Sequence, residues 1–153
     1  MIDIGDIGAL GNRLGQQVAV GDWVEVTQAR INQFAEATGD RQWIHVDQTR
    51  AAAESPFGTT IAHGFLTLSL VSALIRHAMT FSGVRLAINY GVNRVRFMSP
   101  VPAGSRIRGG FTPIAIEALD DCHQVTWRVV VERDGAEKPC CVAEWLVRYY
   151  PSE

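Results

Sequence analysis

The stretch that decides the fold is FLTLSLVSALIRHAM, residues 65–79. Its apolar residues fall on nearly every side of a helix, which predicts a helix that is buried on most sides. Arg76 and His77 lie in the last turn, where cations interact favourably with the negative end of the helix dipole. We therefore expect this helix at the centre of the fold.

Strand patterns follow the helix to the end of the chain. Pro100 and Pro102 mark a turn between the first two strands, and Asp134-Gly135 is typical of a hairpin turn between the last two. Helices early and strands late predict an α+β fold, with a largely antiparallel sheet around one central helix. The four predicted strands alternate in polarity or are enriched in β-branched residues, and they cover residues 85–98, 105–114, 122–133 and 138–150.

The segment before the central helix predicts shorter elements. Residues 1–22 are rich in glycine and are typical of an irregular arm with room for one short helix. Thr27 is a favourable N-cap for a helix that Gly39 ends, and Asp47 is a favourable N-cap for a second, short helix that stops before Pro56.

Length and composition limit the class of protein. A chain of 153 residues predicts one domain over 1–153, and the net charge of −2 gives no reason to expect nucleic acid as a partner. The three cysteines have no metal-ligand spacing, which favours reduced thiols. We see no signal peptide, and the apolar run at 65–75 is too short to cross a bilayer. We therefore expect a cytoplasmic protein without a membrane partner.

Asp40 and His45 are the first candidate site residues. Five residues of α-helix turn by roughly 500°, so a continuous helix would point the two side chains apart, and a strand would place them on opposite faces. Only an irregular turn brings both onto one small molecule, where an acid and an imidazole can move protons to and from a water. The alternatives are a structural turn, or a metal site formed with Asp47 and His63.

Gly64 is the second candidate, at the start of the central helix. A glycine lets a ligand approach the backbone closely, and free N–H groups at a helix start suit a developing oxyanion. The alternative is a turn that needs glycine for its conformation only. We interpret the neighbouring His63 as structural. Ser72 offers a hydroxyl to the site or, alternatively, bonds its own helix carbonyl.

Arginines cluster on two of the predicted strands. Arg94 and Arg96 lie on one strand, and Arg106 and Arg108 lie on the next. Such a strip suits the phosphates of a nucleotide-bearing substrate, or else forms a solvated or ion-paired sheet edge. We predict substrate contacts at Asn93, Arg94 and Arg96.

Together these residues resemble the R-specific enoyl-CoA hydratase family, also called MaoC-like dehydratases. The resemblance covers about residues 20–150 and is most specific over 34–72. It rests on Thr38-Gly39-Asp40, on His45, on Ala51, and on Ile61-Ala-His63-Gly64 at the start of an apolar helix. Where the family usually has Asn-Pro between the acid and the histidine, this chain has Gln42-Trp43, which looks like the nodulation protein N-like branch.

The resemblance implies a fold, an activity and a set of partners. The fold would be a hot-dog, and two subunits would pair their sheets in a homodimer. Asp40 and His45 would be a catalytic dyad that adds water to a trans-2-enoyl thioester to give an R-3-hydroxyacyl thioester. The Gly64 N–H would be the oxyanion donor, and Ser72 would support the site. The substrate would be an acyl-CoA or acyl-carrier thioester, and no metal, flavin or nicotinamide cofactor is needed.

Two other functions fit the same pattern. A hot-dog acyl-CoA thioesterase would share the fold and hydrolyse the thioester. A non-catalytic acyl-thioester-binding subunit is favoured by the Gln42-Trp43 departure.

Overall fold

Helices precede the long strands in the computed structural model, which describes residues 1–152. The short helix in the N-terminal arm is a 3₁₀ segment at Ile7–Arg13, and a second 3₁₀ turn at Ile75–His77 extends the last α-helix. No helix within residues 1–152 has both the length and the apolar character that crossing a membrane requires. The α-helices are α1 (Gln28–Thr38), α2 (Trp43–Val46), α3 (Gln48–Glu54) and α4 (Gly64–Leu74).

The strands form one large antiparallel sheet and one small parallel pair. In the large sheet the order is β2-β6-β7-β8-β5, and β3 also pairs with β6. The parallel pair joins β1 to β4. The strands are β1 (Ile2–Asp3), β2 (Ala19–Val20), β3 (Val24–Val26), β4 (Met79–Thr80), β5 (Val84–Arg96), β6 (Ser105–Ala118), β7 (His123–Arg133) and β8 (Cys141–Pro151). The α+β prediction and the antiparallel sheet are confirmed.

The helix caps that the sequence predicts are all present. The Thr27 hydroxyl accepts a hydrogen bond from the Arg30 N–H at 3.1 Å. Gly39 has φ 79° and donates its N–H to the Ala35 carbonyl, which ends α1. The Asp47 carboxylate accepts from the Arg50 N–H at 2.9 Å and begins α3. Asp40 therefore directly follows a helix end.

The core lies between α4 and the sheet. Leu66, Val71 and Leu74 of α4 are buried and belong to one apolar cluster with Phe111 of β6 and Trp127 of β7. The expectation that the helix is buried on most sides is only partly right for a single chain, because Phe65, Ser69 and Ala73 are exposed. These residues are four positions apart and form one stripe along the helix.

Strand β5 is the exposed edge of the large sheet. Most of its residues are exposed, and its pairing with β8 shifts register at three places. Arg94, with φ 51°, lies in the last of these bulges. Four large apolar side chains stand exposed along the strand, namely Leu86, Ile88, Tyr90 and Val92.

Candidate active site

Asp40, His45 and His63 meet at one place. Asp40 is exposed, whereas His45 and His63 are 8% and 2% exposed. One carboxylate oxygen of Asp40 and one ring nitrogen from each histidine lie within 4.8 Å of one another. A single bridging water spans such a separation with two hydrogen bonds of about 2.8 Å. The turn that the Asp40–His45 spacing required is formed by residues 39–42 and is followed by the single helical turn of α2.

The orientation of His45 is fixed by two backbone carbonyls. Its Nδ1 donates to the Ile61 carbonyl at 2.7 Å, since a carbonyl can only accept. Its own carbonyl accepts from the Gln28 side chain at 2.8 Å. The Gln28 amide oxygen in turn accepts from the buried Thr60 hydroxyl. With the proton on Nδ1, a neutral His45 carries its lone pair on Nε2.

The environment of His45 favours this neutral form. Burial lowers the pKa of His45 and is the largest effect, and the hydrogen bond to the Ile61 carbonyl partly opposes it. Positive charge on His63 would lower the pKa of His45 further, and Asp40 raises it. His45 is therefore a base at neutral pH.

The depressed pKa of His45 predicts how stability changes with pH. Below the ordinary histidine pKa of about 6.5, the unfolded chain binds a proton at position 45 that the folded chain does not. The free energy of unfolding should therefore fall as the pH is lowered from about 6.5 to the folded pKa of His45, and this contribution should be constant above that range. Urea unfolding of wild type and of His45→Gln across the range measures it. Equal pH slopes for the two proteins would contradict the assignment.

A metal ion shared by the two histidines does not fit this geometry. The His45 and His63 rings are stacked, with centroids 3.9 Å apart and planes inclined by 26°. A metal bound to an imidazole lies in the plane of the ring, at about 2.0–2.1 Å from the nitrogen for zinc. Two nearly parallel planes at this separation do not meet that close to both nitrogens. The second acid of the metal alternative, Asp47, caps α3.

Gly64 is the first residue of α4, and its N–H donates no hydrogen bond within residues 1–152. A Cβ at this position would lie 2.8 Å from the Phe97 ring, closer than packed atoms come. An added Cβ would therefore force the Phe97 side chain to move, and glycine avoids this displacement. Gly64 and Phe97 line an apolar cavity of about 280 Å³ together with Ile61, Met98 and Val101, among others.

Ser72 lies in a different cavity. It is eight residues after Gly64, which corresponds to about 12 Å along the helix axis. It lines a space of about 380 Å³ between α4 and the strands β5 and β8, whose lining includes none of Asp40, His45 and Gly64. Ser69 bonds its own helix carbonyl at Phe65, whereas the Ser72 hydroxyl makes no hydrogen bond within residues 1–152. The Ser72 hydroxyl is therefore free to meet a ligand in that space.

The arginine strip separates into two parts. Arg106 pairs with Asp134, and Arg108 pairs with Glu132 at 2.8 Å, so these two form the ion-paired edge. Arg94 lies 3.9 Å from Glu144 with its side chain 84% exposed. Arg96 and Asn93 are exposed on β5. Contact of these last three residues with substrate phosphates stays a prediction.

The cysteines are unsuited to nucleophilic catalysis. Cys122, Cys140 and Cys141 are buried, and within residues 1–152 none is in a disulfide. Burial raises the pKa of Cys140 to about 12 and that of Cys141 to about 11. A thiol with such a pKa is protonated at neutral pH and reacts slowly as a nucleophile.

Gln42 and Trp43 lie between Asp40 and His45 and leave the spacing of these two residues intact. The Gln42 N–H approaches the Asp40 carboxylate at 3.4 Å, and Trp43 begins the helical turn that holds His45. The Arg50 guanidinium lies 4.4 Å over the Trp43 ring.

A known protein family matches most of the chain. The family model described as a MaoC like domain matches residues 9–134. The chain belongs to this family.

Relatives of this MaoC-like protein cover nearly its whole length. It is 52% identical to 3-hydroxyacyl-thioester dehydratase Z of Mycobacterium tuberculosis over 94% of this chain and 95% of that one. It is 43% identical to Nodulation protein N of Rhizobium leguminosarum bv. viciae over 93% and 91% of the two chains. The predicted family, including its likeness to nodulation protein N, is confirmed.

A solved structure confirms the fold. The unliganded R-hydratase of Pseudomonas aeruginosa superposes with a TM-score of 0.68 at 26% identity, over 92% of this chain and 83% of that one. The MaoC-like protein therefore has the hot-dog fold and is homologous to hydro-lyases.

The sequence did not reveal three features of the site. We interpreted His63 as structural, although it belongs to the segment Ile61-Ala-His63-Gly64 on which the resemblance rests. The Gln28–Thr60 bond joins residues 32 positions apart, and Phe97 reaches Gly64 from beyond the end of β5. The one available signal was that His63 directly precedes Gly64.

Proposed function

We propose that this MaoC-like protein adds water to trans-2-enoyl thioesters and catalyses the reverse dehydration of R-3-hydroxyacyl thioesters. The observation that carries the proposal is the cluster of Asp40 with His45. The free N–H of Gly64 at the start of α4 and the names of the relatives support it.

The chemistry follows from the tautomer of His45. A water held between Asp40 and the Nε2 of His45 loses a proton to that lone pair as its oxygen bonds to C3 of the enoyl group. Electrons move onto the thioester oxygen, and the Gly64 N–H stabilises the enolate. The enolate then takes a proton at C2 from the protonated pair. We assign the protons to the pair and not to one side chain, because coupled groups titrate together.

The carrier that bears the acyl chain needs binding contacts outside the reacting group. We propose that Arg94, Arg96 and Asn93 contact phosphate groups of the carrier of the acyl chain. We propose that Ser72 hydrogen-bonds a ligand in the space between α4 and β5. Both CoA and an acyl-carrier protein present a phosphopantetheine arm, so this chemistry is common to the two carriers.

Crotonyl-CoA and a thiol reagent together test the proposal. Loss of the conjugated enoyl absorbance without thiol release is the expected result. Release of free CoA would instead indicate a thioesterase. Tight acyl-CoA binding by calorimetry, with no turnover at any chain length, would indicate a binding subunit.

We also propose that the protein is a homodimer paired along β5. Within residues 1–152 the outer edge of β5 has no neighbouring strand, and exposed apolar residues follow it. Such an edge pairs readily with another strand. A second copy placed there would also cover the exposed stripe of α4 and close the space that Ser72 lines.

The dimer predicts a difference between two valine variants. Val92 on β5 and Val20 on β2 are exposed to similar extents, 44% and 41%. Val92→Lys should shift sedimentation velocity toward the monomer, because a charge would be buried, and Val20→Lys should not. A wild-type protein that sediments as a monomer contradicts the dimer.

A further inference from the structure

We propose that His63 is a positioning residue of this site: it holds Asp40 through a hydrogen bond and holds the plane of the His45 ring by stacking. The inference rests on the proposed function, since it assigns His63 to the same water-adding pair. It replaces our interpretation of His63 as merely structural.

The hydrogen bond of His63 is to the backbone of the acid. His63 Nε2 donates to the Asp40 carbonyl at 2.9 Å. Asp40 is exposed, and its own N–H makes only a long contact of 3.4 Å to the Thr38 hydroxyl. The bond from His63 therefore ties an exposed turn residue to the buried start of α4. Because Gly64 follows His63 directly, the same bond also fixes the position of Asp40 relative to the N–H of Gly64.

The stacking contact restricts a rotation of the His45 ring that a single hydrogen bond does not prevent. The bond from His45 Nδ1 to the Ile61 carbonyl places one ring atom, but the ring can still turn about that bond. The face of His63 at 3.9 Å prevents this rotation. His63 is itself in contact with the Phe34 ring of α1, with centroids 4.9 Å apart. The direction of the His45 Nε2 lone pair is set in this way.

The cost of burying His63 argues against a role in filling the core. With Nε2 donating, Nδ1 is left as an acceptor, and it is buried with no partner within residues 1–152. An unsatisfied buried polar atom destabilises the folded protein. An apolar side chain would fill the same space without that penalty. A histidine in this place despite the cost indicates that both its N–H and its flat ring contribute to the site.

Three substitutions separate the two contacts. His63→Gln keeps an N–H donor at a similar reach and loses the ring. His63→Phe keeps a ring to stack and loses the donor. His63→Leu loses both. His77→Phe, at an exposed histidine, is the matched control. Crotonyl-CoA hydration gives kcat and KM for each protein, at a temperature below every measured Tm.

We expect kcat to fall in all three His63 variants, with KM close to that of wild type. His63→Leu should lose about 100-fold, the size of effect that a misplacement of about 1 Å produces. His63→Gln and His63→Phe should each lose less kcat than His63→Leu. His77→Phe should have the kcat of wild type. A structural role would instead lower Tm and change kcat in no such order.

Two results would overturn the inference, and they differ from a failure of the proposed function. Wild-type kcat in His63→Leu is the first. A loss of equal size in the Gln, Phe and Leu variants is the second, because the hydrogen bond alone and the stacking alone would then contribute nothing to kcat. If the wild-type protein does not hydrate any enoyl thioester, the proposed function fails and takes this inference with it.

Discussion

Asp40→Asn is expected to lower kcat for crotonyl-CoA hydration by a factor of about 100 to 10,000, the usual contribution of a positioned acid or base. Asparagine keeps the size of the side chain but can neither accept nor return a proton at neutral pH. Because Asp40 is exposed at the end of α1, the thermal unfolding midpoint should stay at the wild-type value.

The control for this variant is Asp22→Asn, which removes an acid from another exposed position. It should retain wild-type kcat. His45→Ala should lose activity as Asp40→Asn does. If Asp40→Asn or His45→Ala kept the wild-type rate, the assignment of the pair would be wrong, whatever the activity of the protein as a whole.

Removal of the Gly64 N–H is expected to have the second-largest effect, a loss in kcat of about 100- to 1,000-fold. Proline removes this N–H and is tolerated at the first position of a helix. His63, with ψ 139°, already has the extended backbone that precedes proline. Any side chain at 64 would collide with Phe97, so the comparison is made in Phe97→Ala protein.

The informative pair is Gly64→Pro against Gly64→Ala, both with Phe97→Ala. The two proteins share the added Cβ and differ chiefly in the N–H, so the ratio of their kcat values measures the oxyanion donor. Circular dichroism and Tm check that both proteins are folded. Equal kcat values in the pair would remove Gly64 from the oxyanion hole.

Local signals predicted the elements that surround the site. Thr27, Gly39 and Asp47 cap helices through bonds to residues three or four positions away, so a single sequence contains both partners. The same is true of the turn at Asp134-Gly135, where Gly135 has φ 76°. The α+β order of elements followed from the strand patterns after α4.

Long-range contacts limited the prediction of the site itself. His45 takes its tautomer from the Ile61 carbonyl, 16 residues away, and Asp40 is held by a ring 23 residues away. Periodic patterns in a sequence do not reveal contacts between residues so far apart in the chain. The sequence also did not predict the bulges of β5, because a shift in register depends on which residue of β8 lies opposite.

The configuration of the product tests the central claim most directly. Purified protein should convert crotonyl-CoA to 3-hydroxybutyryl-CoA with a single configuration at C3, because one water, held by Asp40 and His45, reaches one face of the double bond. The likeness to an R-hydratase leads us to expect the R configuration. Chiral chromatography of the product reads this outcome. The S product, a racemic mixture, or free CoA with the double bond intact would contradict the account.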